Sequence, residues 1–97
     1  MGARPLNHFG KRMYYFYVLQ NITCPTEFYT GYSGDLRRRL GEHNAGKQQA
    51  TRGRTWRLVY YEAYLSERVA REREQKIKRN GRMRTLLMDR ITSQFSE

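Results

Sequence analysis

Residues 14–19, Tyr-Tyr-Phe-Tyr-Val-Leu, are apolar or aromatic without a break. That is the pattern of a strand covered on both faces, as at the centre of a sheet. Asn21 to Glu27 supplies Asn, Thr, Pro and Thr, turn chemistry that folds 14–20 back onto a second aromatic strand at 28–32. Ser33-Gly34-Asp35 offers a helix start with an acidic residue in the first turn. Leu36, Leu40 and His43 follow at helical spacing with Arg39 on the same side, and Gly46 ends that helix. After a polar, basic loop from Lys47 to Arg54, a third strand at 56–61 sets Trp56, Leu58 and Tyr60 against Arg57, Val59 and Tyr61. Ser66 caps a second helix running to about Asn80. Gly81 breaks it, and Arg82 to Ile91 forms a third helix with Met83, Leu86, Leu87 and Ile91 as its stripe.

The order β-β-α-β-α-α predicts an α+β domain, a three-stranded antiparallel or mixed sheet flanked by helices. The chain divides into a flexible basic leader at 1–12, the domain at 13–92 and a disordered tail at 93–97.

One charge pattern breaks the apolar logic. On the second helix, at roughly 100° per residue, Ala70 and Ile77 define the inward direction. Glu74 lies close to that direction while Glu72 points nearly opposite. An unpaired buried carboxylate costs several kcal/mol, on the order of 2–7 for even a neutral polar group, so Glu74 needs a partner. Two are open: an ion pair with a lysine or arginine, or a metal ion in a cleft.

Composition narrows the partner. The 97 residues carry 19 Lys and Arg against 9 Asp and Glu, a net charge of +10, which favours a polyanion, most simply nucleic acid. No apolar run has the length of a transmembrane helix, and no basic segment carries a broad apolar face, so a membrane partner is not expected. Cys24 is the single cysteine, which excludes an internal disulfide and a cysteine-rich zinc site. The first residues have no apolar core of signal-peptide length, so a cytoplasmic protein is expected and the Asn21-Ile22-Thr23 triplet carries no glycosylation meaning.

With these residues in view, the chain resembles the GIY-YIG nuclease family. Tyr15-Phe16-Tyr17 stands at the first motif and Tyr29-Thr30-Gly31 at the second. Asp35-Leu36-Arg37-Arg38-Arg39 matches the stretch ending in the family's arginine, and Glu74 falls where the family places its metal-binding glutamate. The spacing of these motifs, with His43-Asn44-Ala45-Gly46 between them, resembles the small stand-alone bacterial branch, related to the N-terminal nuclease domain of the bacterial excision-repair nuclease. The sequence departs from the family by keeping only the terminal tyrosine of the first motif. It also carries Tyr32 where many excision-repair members have a lysine.

The resemblance implies a metal-dependent endonuclease hydrolysing phosphodiesters in DNA, single-stranded or branched, with RNA as a further substrate. It implies Mg²⁺ or Mn²⁺ on Glu74, Arg39 on the phosphate oxygens, Tyr17 as general base or water positioner and Tyr29 orienting the nucleophile or phosphate. His43, one turn beyond Arg39, reads equally as a proton relay and as a structural histidine packed between helix and sheet. Lys47, Arg52, Arg54 and Arg57 are candidates for sequence-neutral phosphate contacts, and exposed tyrosines for stacking on unpaired bases. A nucleic-acid-binding module that keeps the fold without cleaving is the alternative, and a basic face for an acidic protein partner is a weaker third.

Overall fold

The computed structural model describes residues 6, 10 and 12–95. Three strands, β1 (Tyr14–Asn21), β2 (Phe28–Ser33) and β3 (Trp56–Tyr64), form one antiparallel sheet in the order β2-β1-β3. The helices are α1 (Leu36–Asn44), α2 (Glu67–Arg79) and α3 (Gly81–Thr92). The α+β class and the β-β-α-β-α-α order therefore hold, apart from a single 3-10 turn at Gln49–Thr51 before β3 and another after α3. Among the described residues no helix is long and apolar enough to cross a membrane.

β1 is central, and its uninterrupted apolar run serves two cores. Phe16 and Val18 pack with Ile77, Leu87 and Ile91 on the face covered by α2 and α3. Tyr17 and Leu19 pack with Trp56, Tyr29, Leu36 and Leu40 on the face covered by α1. Alternation along the central strand is thus split between two helical layers, each burying one set of side chains.

The simple alternation expected for β3 does not hold. Val18 pairs with Tyr60 and Leu19 with Leu58, so the register shifts by one residue at Val59. A bulge of this kind inverts the faces of everything beyond it. Leu58 joins Trp56 on the α1 side, but Tyr60 goes to the α2 and α3 side. Tyr61, exposed, becomes the register partner of Tyr17. β3 also runs three residues past its expected end at Tyr61.

Helix ends follow local chemistry. Asp35 is the N-cap of α1, its carboxylate accepting from the Arg38 amide at 3.1 Å. Gly46 adopts φ 76°, the left-handed conformation that terminates helices. Ser66 caps α2 as expected. The break between α2 and α3 falls at Asn80 rather than Gly81: Asn80 closes α2 through its own amide and caps α3 by accepting from Met83. Gly81 is simply the first residue of α3. In the α3 stripe Leu87 and Ile91 are buried, whereas Leu86 is exposed and the partly buried Met88 packs on the core instead.

The leader expected over 1–12 lies largely outside the described residues, as do residues 96 and 97 of the expected tail. Ser93–Phe95, by contrast, form the 3-10 turn that continues α3. Ser93 donates to the Arg90 carbonyl at 2.8 Å, and the Arg57 guanidinium sits 4.9 Å from the Phe95 ring centre.

One polar network ties α2 to the sheet. Glu62 accepts from Tyr60 at 2.7 Å, from Tyr64 at 2.6 Å and from Arg73 at 2.8 and 3.0 Å through both carboxylate oxygens. The bidentate arginine fixes the rotation of α2 about its axis. Glu74, the next residue, is thereby aimed.

Candidate active site

Tyr17 projects from β1 on the α1 side and is 2% exposed. Its register partner across β2 is Gly31. A Cβ on Gly31 would sit 2.6 Å from the Tyr17 Cζ and closer still to its oxygen. The phenol can cross the edge strand only because residue 31 lacks a side chain. That contact is the physical reason for glycine at the end of the Tyr-Thr-Gly motif.

Behind Tyr17 stands His43, fully buried. The Tyr17 oxygen lies 2.9 Å from His43 Nε2, and His43 Nδ1 lies 2.8 Å from Thr51 Oγ1. The Thr51 hydroxyl reaches the Gln48 carbonyl at 3.4 Å, a bond it can only donate. Its oxygen therefore accepts from Nδ1–H, which leaves Nε2 to accept from the Tyr17 hydroxyl. Burial first, and then the Arg39 charge, lowers the His43 pKa, so the imidazole is neutral at neutral pH. Burial raises the Tyr17 pKa to about 12 against the counter-pull of the Arg39 guanidinium.

Arg39 lies on the face of α1 that turns toward Tyr17. Its Nη1 donates to Glu42 at 3.1 Å, while its Nε is buried without a hydrogen-bond partner among the described residues. Burial opposes its charge, but Tyr17 and Glu42 outweigh that and raise its pKa. Tyr29 stacks edge-on against His43, with ring centres 4.9 Å apart.

Glu74 enters from the opposite side of the sheet. Ala70, Glu74 and Ile77 are the buried residues of α2, and Glu72 is exposed, as the helical spacing predicts. The Thr30 hydroxyl donates to Glu74 Oε2 at 3.2 Å, and the Lys78 ammonium lies 3.5 Å from the same oxygen. The lysine partner foreseen from charge alone is thus present, together with a threonine that was not foreseen. Both contacts use Oε2, so Oε1 is the oxygen available to a cation.

These groups meet in one open cleft of about 380 Å³ at the edge strand β2, lined by Tyr17, Tyr29, Arg39 and Glu74 along with Thr30 and Lys78. The donor set suits a hard divalent ion that keeps most of its waters, since magnesium needs only one or two carboxylates plus substrate phosphate. Among the described residues there is no cluster of three or more His, Cys, Asp or Glu, so a cage of protein ligands is not built. His43 does not line the cleft; it touches Tyr17 from behind.

The basic residues chosen from the loop and β3 lie elsewhere. Lys47, Arg52, Arg54 and Arg57 are exposed and none lines the cleft. Arg52 donates to the Gly46 carbonyl, Arg54 pairs with Glu27 at 3.2 Å, and Arg57 donates to Gln20 at 2.8 Å. Sequence reasoning passed over Thr30, Thr51 and Lys78. Thr30 sits inside the motif and Lys78 one turn after Glu74, so spacing held a signal for those two. Thr51 comes from the irregular loop and had none.

Comparison with known proteins agrees with this geometry. The profile of the GIY-YIG catalytic domain matches residues 13–86. A UPF0213 protein of Haloquadratum walsbyi is 43% identical over 68 residues, covering 67% of this chain and 73% of its own. Relatives of the same name come from Natronomonas pharaonis, 44% identical over 68 residues with 67% and 76% covered, and from Bacillus pumilus, 39% identical over 70 residues with 70% and 69% covered. Their name states no activity. No solved structure matches the chain.

Proposed function

The chain belongs to the family of GIY-YIG catalytic domains, and from that premise we propose that it is a metal-dependent endonuclease hydrolysing phosphodiester bonds in DNA, with RNA as a second substrate. The observation that carries this reading is the shared cleft: two phenols, a guanidinium and a buried carboxylate around an opening large enough for a phosphate.

Glu74 would hold one Mg²⁺ or Mn²⁺ through Oε1, and the ion when bound would stabilise the charge on the phosphate and on the departing 3′ oxygen. Arg39 grips the non-bridging phosphate oxygens with its planar fork. A water attacks phosphorus; the new O–P bond forms as the P–O3′ bond breaks, leaving a 5′ phosphate and a 3′ hydroxyl.

Tyr17 handles the water's proton by exchange. A phenol with a pKa of about 12 is protonated at neutral pH and cannot be a base by itself. Its hydroxyl, however, points at the free lone pair of neutral His43. As the Tyr17 oxygen takes the water's proton, its own proton passes to Nε2, and the imidazolium keeps Nδ1–H on Thr51. The leaving oxygen is protonated by solvent. Of the two readings of His43, relay and packing, this arrangement supports the relay while the ring also packs.

The test is the purified chain incubated with single-stranded, duplex and branched DNA and with RNA, with and without magnesium or manganese. Cleavage that needs the metal and disappears in Glu74→Gln supports the proposal. Binding without metal-dependent cutting selects the second reading, a nucleic-acid-binding module, which draws on Tyr32 occupying the position of a lysine in many excision-repair members.

A further inference from the structure

Past Lys78 the cleft adjoins a second cavity of about 260 Å³, lined by Phe28, Tyr29, Thr30, Lys78 and Arg84. Tyr29, Thr30 and Lys78 line both cavities, so the two run together along β2. The linings differ in charge. The first contains Glu67 and Glu74 beside its cations, whereas the second has two cations and no carboxylate.

Each cation is placed to reach a ligand. Lys78 is 61% exposed on its side chain and stands on the wall between the cavities, 3.5 Å from Glu74. Arg84, half-buried on α3, crosses to the sheet and donates one N–H to the Phe28 carbonyl at 3.4 Å. That bond uses one of five guanidinium donors and holds the group at the cavity rim. Phe28 and Tyr29 complete the lining as neighbours on β2, with their side chains on opposite faces of the sheet: Phe28 packs on the Phe16 and Ile77 core and Tyr29 against His43.

We propose that this second cavity is a subsite for the nucleotide adjoining the scissile phosphate, with Lys78 and Arg84 gripping the flanking phosphate. The proposal rests on the nuclease reading above and adds a phosphate contact at the β2 edge to those expected from residues 47–57. Contacts of this kind set register on the strand and are blind to sequence.

The experiment measures binding of a labelled single-stranded DNA oligonucleotide to the full chain across a potassium chloride series, without divalent metal so that no cleavage intervenes. Arg84→Gln and Lys78→Gln should each weaken binding by roughly 3- to 10-fold and reduce the salt slope by about 0.7, the value for one phosphate contact on a single strand. Arg84→Lys should restore the slope, which separates lost charge from a damaged fold, and thermal melts check folding of each variant. Arg68→Gln, which removes an exposed cation on α2 paired with Glu72, should leave the slope unchanged. Wild-type slopes in both glutamine variants, or an equal drop in Arg68→Gln, would overturn the subsite while leaving the nuclease reading intact. Failure of the wild-type chain to bind any oligonucleotide at low salt would overturn both.

Discussion

The Tyr17 hydroxyl donates to His43 Nε2 at 2.9 Å, and neither residue is more than 2% exposed. A tyrosine that resists ionisation is thus coupled to a histidine that resists protonation. The pair behaves as one unit whose titration is legible from outside.

For activity, the expected consequence is an acid limb governed by His43. Because its pKa lies below the usual 6.5, the cleavage rate should hold down to that pH and fall only below it. Tyr17→Phe should reduce the rate by roughly 10²- to 10⁴-fold, and His43→Gln should remove the acid limb. For stability, the unfolded chain binds the His43 proton more readily than the folded one, so stability is lost as pH drops below 6.5. Tyr17 works at the other extreme: its contribution is complete below pH 10 and is lost as pH rises toward about 12. Rate–pH profiles and denaturation at matched pH check both limbs; a wild-type acid limb retained in His43→Gln would remove the relay.

Replacing the carboxylate should separate chemistry from binding. Glu74→Gln keeps an acceptor for Thr30 but loses the cation ligand, so turnover should fall by about 10³-fold or more, several kcal/mol of transition-state stabilisation. Nucleic-acid affinity should be unchanged or higher, because a negative charge has left the cleft. Arg39→Lys should cost about 10²- to 10³-fold in rate with the fold intact, since an ammonium cannot reproduce the planar fork. Single-turnover rates and equilibrium binding on the same variants make the comparison.

Gly31 gives a test that needs no substrate. Gly31→Ala drives a methyl group into the Tyr17 ring and should destabilise the protein by about 1–3 kcal/mol. In a Tyr17→Ala background the same change should cost much less, because its obstacle is gone. A double-mutant cycle by chemical denaturation measures that coupling; additive effects would contradict the close approach.

Glu62 holds the shape of the site from a distance. Burial works against its charge, but the hydrogen bonds from Arg73, then Tyr64 and Tyr60, outweigh that and hold its pKa below 4.5. Glu62→Gln should cost about 1–3 kcal/mol of stability. The charged group's contribution is present above pH 4.5 and is lost as pH falls through its lower folded value, so wild type and variant should converge in acid. Urea denaturation from neutral pH into the acid range reads this directly.

Much of the site was legible because its residues lie on regular elements. Helical spacing alone turned Glu74 inward and put Arg39 and His43 on one face of α1, and the apolar run of 14–19 gave a central strand with Tyr17 within it. What the sequence concealed depends on register and irregular backbone. The bulge at Val59 reverses faces without any glycine or proline to announce it. Thr51 reaches His43 from a loop. Composition counts the cations at 47–57 but cannot show that they lie outside the cleft, or that Arg54 contacts Glu27 and Arg57 contacts Gln20.

Asn80 joins two helices with no spacer between them, serving as the last word of one and the first of the next. The carboxylate of Glu74 and the guanidinium of Arg84 therefore ride on the two arms of a single rigid elbow. Such an elbow works as a ruler, and an extra residue inserted there would miscalibrate it without touching either side chain.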